Sequence, residues 1–441
     1  MRTFAALGVR NYRLYFIAQA VSMPGTWMQR IAQSWLVLQL TDSSMALGIV
    51  TACQFTPLLL GGLWAGSLAD RMDSRRLLLI TQTAMGLLAL ALGLLVVTDV
   101  VELWMIYLSA FLVGCAAAAD TPTRHVFVHD MVGRETLPNA VALNSTVVHT
   151  SRMIGPAFAG IVIATLGMAV AFFINAMSFL AVLLALVLMR PQDLHPHPRT
   201  RGPHSVRLGL AYVRGERHLV HVLVLAAVVS VFAMNFNVTL ALLARFAFGQ
   251  DAGAYGIMSS VLAVGSVVGA LAVGSRLQPS KALVANAALA LGGFMAVLSA
   301  VPTLALVYVV LVPIGLCSAL FLAACNSLLQ LGSRDDMRGR VMALFSVLAF
   351  GSKPVGGALV GAAGEISART AVMVGAVPTI LAGAVFVALA RRDSREGLDT
   401  TDGAVTDAEL PRAPIARPSP PRHGGGRDRI AVPANNEDQL P

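Results

Sequence analysis

Apolar residues run along this chain in blocks of about twenty, cut by short polar turns, over almost its whole length. A span of hydrocarbon needs about twenty such residues in a helix. The pattern predicts six spans in the first half, roughly 12–40, 45–69, 77–97, 103–126, 137–166 and 168–189. It predicts six more in the second, roughly 219–247, 252–277, 282–302, 304–331, 341–363 and 370–390. The first block departs from the rule. Gln19, Ser22, Thr26, Gln29, Arg30 and Gln33 recur at helical spacing and share one face. A polar stripe on a spanning helix faces protein or water. It serves interhelical hydrogen bonding or lines a cavity, and six polar groups including an arginine favour the cavity. Pro24-Gly25 in its middle predicts a kink.

The two halves repeat. Shifting the first by 201 residues lays Ala142-Leu143 on Ala343-Leu344, Ser145 on Ser346, Arg152 on Lys353, Gly155 on Gly356 and Gly160 on Gly361. The expected organisation is a six-helix bundle over 1–190, a cytoplasmic linker over 191–217, a second bundle over 218–391 and a disordered cytoplasmic tail over 392–441. The linker is rich in proline and arginine, which marks a boundary. The tail has little to bury.

Composition fits this picture. Of 441 residues, 56% are hydrophobic and 12% charged, against about 25% charged in soluble domains. The net charge of +9 is spread over short loops, so it does not imply a nucleic-acid partner. With both termini inside, the inner loops carry nearly all lysine and arginine, while the outer set holds only Arg245 and Arg369. That asymmetry predicts cytoplasmic termini. Four cysteines, Cys53, Cys115, Cys317 and Cys325, lie in apolar blocks without metal or disulfide spacing. The chain has no phosphate-binding Gly-x-x-x-x-Gly-Lys loop, and neither an enzyme nor a cofactor is indicated.

The turn Gly66–Arg76 packs Asp70, Arg71, Asp73, Arg75 and Arg76 into seven positions. It resembles the loop between helices two and three of the major facilitator superfamily, usually Gly-x-Leu-Ala-Asp-Arg-x-Gly-Arg-Arg. Asp73 replaces the usual glycine and Ser74 the usual arginine. The variant is similar to the branch that holds enterobactin-type exporters and drug:proton antiporters. Gly155-Pro156, then Gly160, resembles the fifth-helix motif of the superfamily's antiporters, with Ala159 in place of one glycine.

The resemblance implies an all-α membrane protein of twelve helices in two pseudo-symmetric bundles, placed in the bacterial plasma membrane. It implies a monomer that exports a small organic molecule, siderophore-like, drug or metabolite, with protons as the coupling ion. An importer on the same fold and a non-transporting sensor or scaffold are the alternatives. The superfamily's cavity helices are one, four, seven and ten. They would present Gln29, Arg30, Gln33, Asp120, Asn235 and Asn326 to a substrate or proton pathway. Ionisable groups at membrane depth add Arg124, His149, Arg152 and Lys353. Arg152 and Lys353, related by the repeat, are expected to face an anionic or oxygen-rich ligand, or to pair with a buried acid such as Asp120. The turn of Gly66, Asp70, Arg71, Arg75 and Arg76 is expected to latch the two halves together. Asp70→Asn is therefore expected to lower transport while membrane insertion stays intact; wild-type transport rates in that variant would contradict the latch.

Overall fold

A computed structural model describes residues 4–194, 206–275, 279–335 and 337–405. The side chains of 63–71, 134, 206–207, 273–275, 350 and 393–405 lie outside that description, so the expectations for Gly66, Asp70 and Arg71 fall outside the described residues.

The fold is all-α. The first six spans are α1 (Arg10–Thr41), α2 (Ser44–Arg71), α3 (Ser74–Val97), α4 (Leu103–Gly133), α5 (Glu135–Leu166) and α6 (Met168–Leu188). A short α7 (Val206–Gly215) precedes the second six: α8 (Arg217–Ala247), α9 (Ala252–Ser275), α10 (Lys281–Ala300), α11 (Leu304–Gly332), α12 (Arg338–Ile366) and α13 (Ala368–Val405). Eleven of the twelve are apolar enough to span a membrane by composition alone. The exception is α1, whose 32 residues carry the polar stripe and which packs against α4, α5 and α6. Large apolar side chains such as Leu60, Leu87, Ile161, Leu184 and Leu381 point outward, as a bilayer requires.

Several local expectations need correction. The stretch expected as a loop between the spans 103–126 and 137–166 is helical on both sides of a single break at Gly133, whose φ of 68° favours glycine. α1 runs as one continuous helix through Pro24-Gly25. Gly25 admits α6: a Cβ there would lie 2.7 Å from Asn175 Oδ1. Two other spans are broken in mid-course. α8 is interrupted between Phe232 and Phe236, with Asn235 at φ −97°, ψ 41°. α12 is interrupted at Ser352, where Pro354 lacks a donor and crowds Lys353 before it.

The halves meet at one end of the bundle, called here the Asp42 end. There α2 packs on α12 and α5 on α9, nearly backbone to backbone. A Cβ on Gly48 would stand 2.5 Å from the Gly357 carbonyl oxygen, and one on Gly256 would stand 2.3 Å from that of Pro156. Gly160 faces Gly253 in the same way, at 2.9 Å. Glycine is what permits such approach between membrane helices. The largest apolar cluster runs through this end and across the halves, joining Trp35, Leu38 and Leu47 to Leu240, Tyr255 and Val360. Toward the other end, called the Arg75 end, the first half keeps a separate cluster of its own, with Tyr12, Tyr15, Leu78, Phe127, Met131 and Leu186. Arg75 there donates to the carbonyls of Leu186 (2.7 Å) and Val187 (3.1 Å), closing the open C-terminus of α6 within the first half.

Gly48→Leu and Gly256→Leu are each expected to lower stability by about 1–3 kcal/mol, since the obstructing atoms are backbone. Gly293→Leu, where a Cβ meets nothing within 4 Å, is the control. Thermal unfolding in detergent reads the difference, and equal midpoints for all three would contradict the packing.

Candidate transport site

Depth along each helix follows from 1.5 Å per residue. Arg30 lies about 17 Å from the Asp42 end of α1, Arg152 about 21 Å from that of α5, and Lys353 about 20 Å from that of α12. The three cations thus form one layer. All are half-buried. Arg30 and Arg152 repel each other, and both repel Lys353. The structure therefore brings together the two repeat-related cations and adds a third from the polar stripe.

Aromatic rings face these charges. The Arg30 guanidinium carbon sits 4.6 Å from the Trp27 ring centre and that of Arg152 sits 5.5 Å from it. Lys353 Nζ lies 4.6 Å from the ring centre of Phe55 on α2. Such contacts offset part of a cation's lost hydration, about 0.5–2 kcal/mol each. Trp27 and Phe55 escape sequence reading, because an aromatic in an apolar block carries no signal. A hint exists for Trp27, which stands one helical turn before Arg30. Gly155 sets its place: a Cβ there would fall 2.7 Å from Trp27 Cβ and 2.8 Å from the Pro24 carbonyl oxygen. The Gly155-Pro156 motif thus seats the ring shared by Arg30 and Arg152.

Asn235, at the break in α8, reaches a similar level, about 18 Å from the Asp42 end. Its Nδ2 donates to Val231 O at 2.6 Å, while its buried Oδ1 has no hydrogen-bond partner. Ser352 Oγ, next to Lys353, also lacks one. Gly356, one turn past Lys353, lets α12 press on this break, since a Cβ would stand 1.9 Å from Val231 O.

Asp120 and Arg124 belong elsewhere. They lie about 26 and 32 Å from the Asp42 end and pair with each other directly. Asp120 also accepts from Thr81 (2.9 Å) and Gln82 (2.7 Å) of α3, and Arg124 donates to Gln19 of α1 (2.6 Å). The pair ties α1, α3 and α4 together, so Asp120 is not the counter-charge of Arg152 or Lys353. Gln29 accepts from Asn175 of α6, a packing contact. Gln33 is buried with Nε2 unpartnered. His149 is exposed and feels the Arg152 charge. Asn326 accepts from Gln330 at 2.6 Å, toward the Arg75 end of α11. Among the described residues no cluster could hold a metal ion.

Charged links cross the halves at the Asp42 end. Arg245 of α8 donates to Asp42 at 2.9 Å. Glu365 of α12 accepts from Ser43 Oγ (2.8 Å) and from the Met45 backbone (2.7 Å), capping the start of α2.

A family described as transmembrane secretion effector matches residues 1–415. The multidrug efflux pump Tap of Mycolicibacterium fortuitum is 27% identical over 86% of this chain and 95% of its own length. The staphyloferrin A transporter of Staphylococcus aureus is 26% identical over 59% of this chain, the match spanning 66% of that protein, just under two thirds. The enterobactin exporter EntS of Shigella flexneri is 23% identical over 80% of this chain and 85% of its own. Among solved structures, a bacterial homologue of the lysosomal transporter Spinster, inward-facing and unoccupied, superposes with a TM-score of 0.66 at 14% identity, covering 86% of this chain and 95% of that one. The nucleoside transporter NupG gives 0.70 at 14% identity, covering 86% and 99%.

Asp120→Asn keeps the shape of the α1–α3–α4 knot but strips Arg124 of its counter-charge. It is expected to destabilise the protein by about 3–5 kcal/mol in thermal unfolding. Arg152→Gln, which relieves repulsion, is expected to cost nothing; the reverse order would contradict the separation of the two charge groups.

Proposed function

This chain belongs to the transmembrane secretion effector family, within the major facilitator superfamily, and from that premise we propose that it exports a small organic molecule from the bacterial cytoplasm by alternating access. It is a multi-pass membrane transporter; its direction, cargo and coupling are the proposal. One observation carries it: the cluster of Arg30, Arg152 and Lys353 lies below an end where the halves share one apolar core, while toward the opposite end the first half packs separately. With both termini inside, the Asp42 end faces outward. The arrangement is then a loading state, sealed outside, with the cation layer open to cytoplasmic cargo.

Export follows when the halves rock about that layer. The outer seal must part, which breaks the Arg245–Asp42 and Glu365–Ser43 links and separates Gly48 from Gly357. The inner ends close, and the charged turn at Gly66–Arg76 is the proposed inner latch. Protons are the proposed counter-ion. Asp120 is fully engaged, so His149, exposed beside Arg152, is the better candidate for the exchanging group. The relatives support a siderophore-like or drug-like cargo, as their names describe for themselves.

Inside-out vesicles given an acid-inside gradient test this with a panel of siderophores and drugs. Accumulation of a panel member that collapses with the gradient is the expected result. Gradient-driven accumulation in whole cells would make the protein an importer, and a folded protein that moves no panel member would contradict transport. Asp42→Asn with Arg245→Gln is expected to weaken the outer seal and change flux at least several-fold, leaving insertion intact.

A further inference from the structure

Resting on the transport reading of the same site, we infer that the cargo is a multivalent organic anion with a flat unsaturated portion. Three cations from three helices share one level in the bundle, and like charges are costly together where water is scarce. Arg30 and Arg152 make no ion pair among the described residues. Both share the Trp27 ring, so their guanidinium carbons lie within about 10 Å of each other, the sum of the two ring distances. A single carboxylate neutralises one such group. Two or three carboxylate or phosphate groups on one molecule span the set: the two guanidinium forks each take one by paired hydrogen bonds, and the Lys353 ammonium takes a third as a point charge.

The rings decide the rest of the shape. Trp27 and Phe55 present apolar faces at the level of the charges, so the ligand has a flat body between its anionic groups. Ser352 Oγ, unpartnered and next to Lys353, adds a hydroxyl donor for an anion. Asn235 Oδ1 adds an acceptor that a ligand hydroxyl satisfies. Among the described residues, Asp120 is closed into its own knot, and Asp42 and Glu365 serve the outer seal.

An anionic cargo also changes the energetics of export. A negatively charged interior expels anions, and each charge carried outward down 100 mV is worth about a fifty-fold concentration ratio. A multivalent anion thus draws on the membrane potential directly, and the proton gradient adds to it.

The test uses the full chain in detergent at fixed ionic strength, with benzene-1,3,5-tricarboxylate, benzoate and tetraphenylphosphonium as probes. Thermal shift and quenching of tryptophan fluorescence read binding. The tricarboxylate is expected to bind at least tenfold more tightly than benzoate, with no effect from the phosphonium cation. Arg30→Gln and Arg152→Gln are each expected to weaken the tricarboxylate at least tenfold with an unfolding midpoint equal to or above wild type. Should either variant fold poorly, Lys353→Met carries the same expectation. Equal stabilisation by the cation, or tricarboxylate binding unchanged in the variants, overturns the inference. Tricarboxylate binding in a protein that moves no cargo in vesicles upholds the anion site, defeats the transport reading and with it overturns the anion's role as cargo. Gradient-driven flux of a cationic drug without tricarboxylate binding does the reverse.

Discussion

A charge placed at membrane depth must find an opposite charge, a polarisable face or water, and three like charges at one depth make that demand acute. Arg30 and Arg152 answer it with the Trp27 ring and partial exposure, and Lys353 lies against the Phe55 ring. Much of the local structure serves that arrangement. Gly155 seats Trp27 against α5, Pro354 breaks α12 beside Lys353, and Gly356 draws that break against the interruption in α8. Each of these departures from a plain helix stands within a few residues of a cation or of the level the cations define.

The second organising feature is the contrast between the two ends. Membrane helices have no hydrophobic drive to associate, so close approach must come from small side chains. At the Asp42 end this is met by Gly48, Gly357 and Gly361 on one side and Gly160, Gly253 and Gly256 on the other. The two seams are the repeat seen in space: α2 with α12 and α5 with α9. Because the contacts are backbone to backbone, they are either made or lost, which suits an interface that opens as a unit. The Asp120–Arg124 knot, by contrast, fastens helices of the first half to one another.

Much of this was legible in the residues. Hydrophobic period and block length place the spans, and the offset of 201 pairs Arg152 with Lys353. Arg30 was visible as a charge on a polar stripe. Its place beside the other two was not, because helix-to-helix distance leaves no mark in a single sequence. Trp27 and Phe55 were missed for a related reason: an aromatic ring reads the same whether it faces lipid, core or a cation. The gap of ten residues between the predicted spans 103–126 and 137–166 closes to a single break, because Gly133 makes the turn in one residue and the flanking residues continue the helices. The sequence points Asp120 at the cavity, because its partners Thr81 and Gln82 are ordinary polar residues forty positions away.

The central claim is that the cation layer opens to water from one face of the membrane while the Asp42 end is sealed. Arg152→Cys, in a chain whose four native cysteines are replaced, puts a thiol in the cation layer itself, at a half-buried position whose charge the fold does not need. Its reaction with a membrane-impermeant thiol reagent in vesicles of known orientation measures which face reaches the layer. The account predicts labelling from the face that carries Arg75 and protection from the face that carries Asp42. Labelling from the Asp42 face, or from neither, would contradict it.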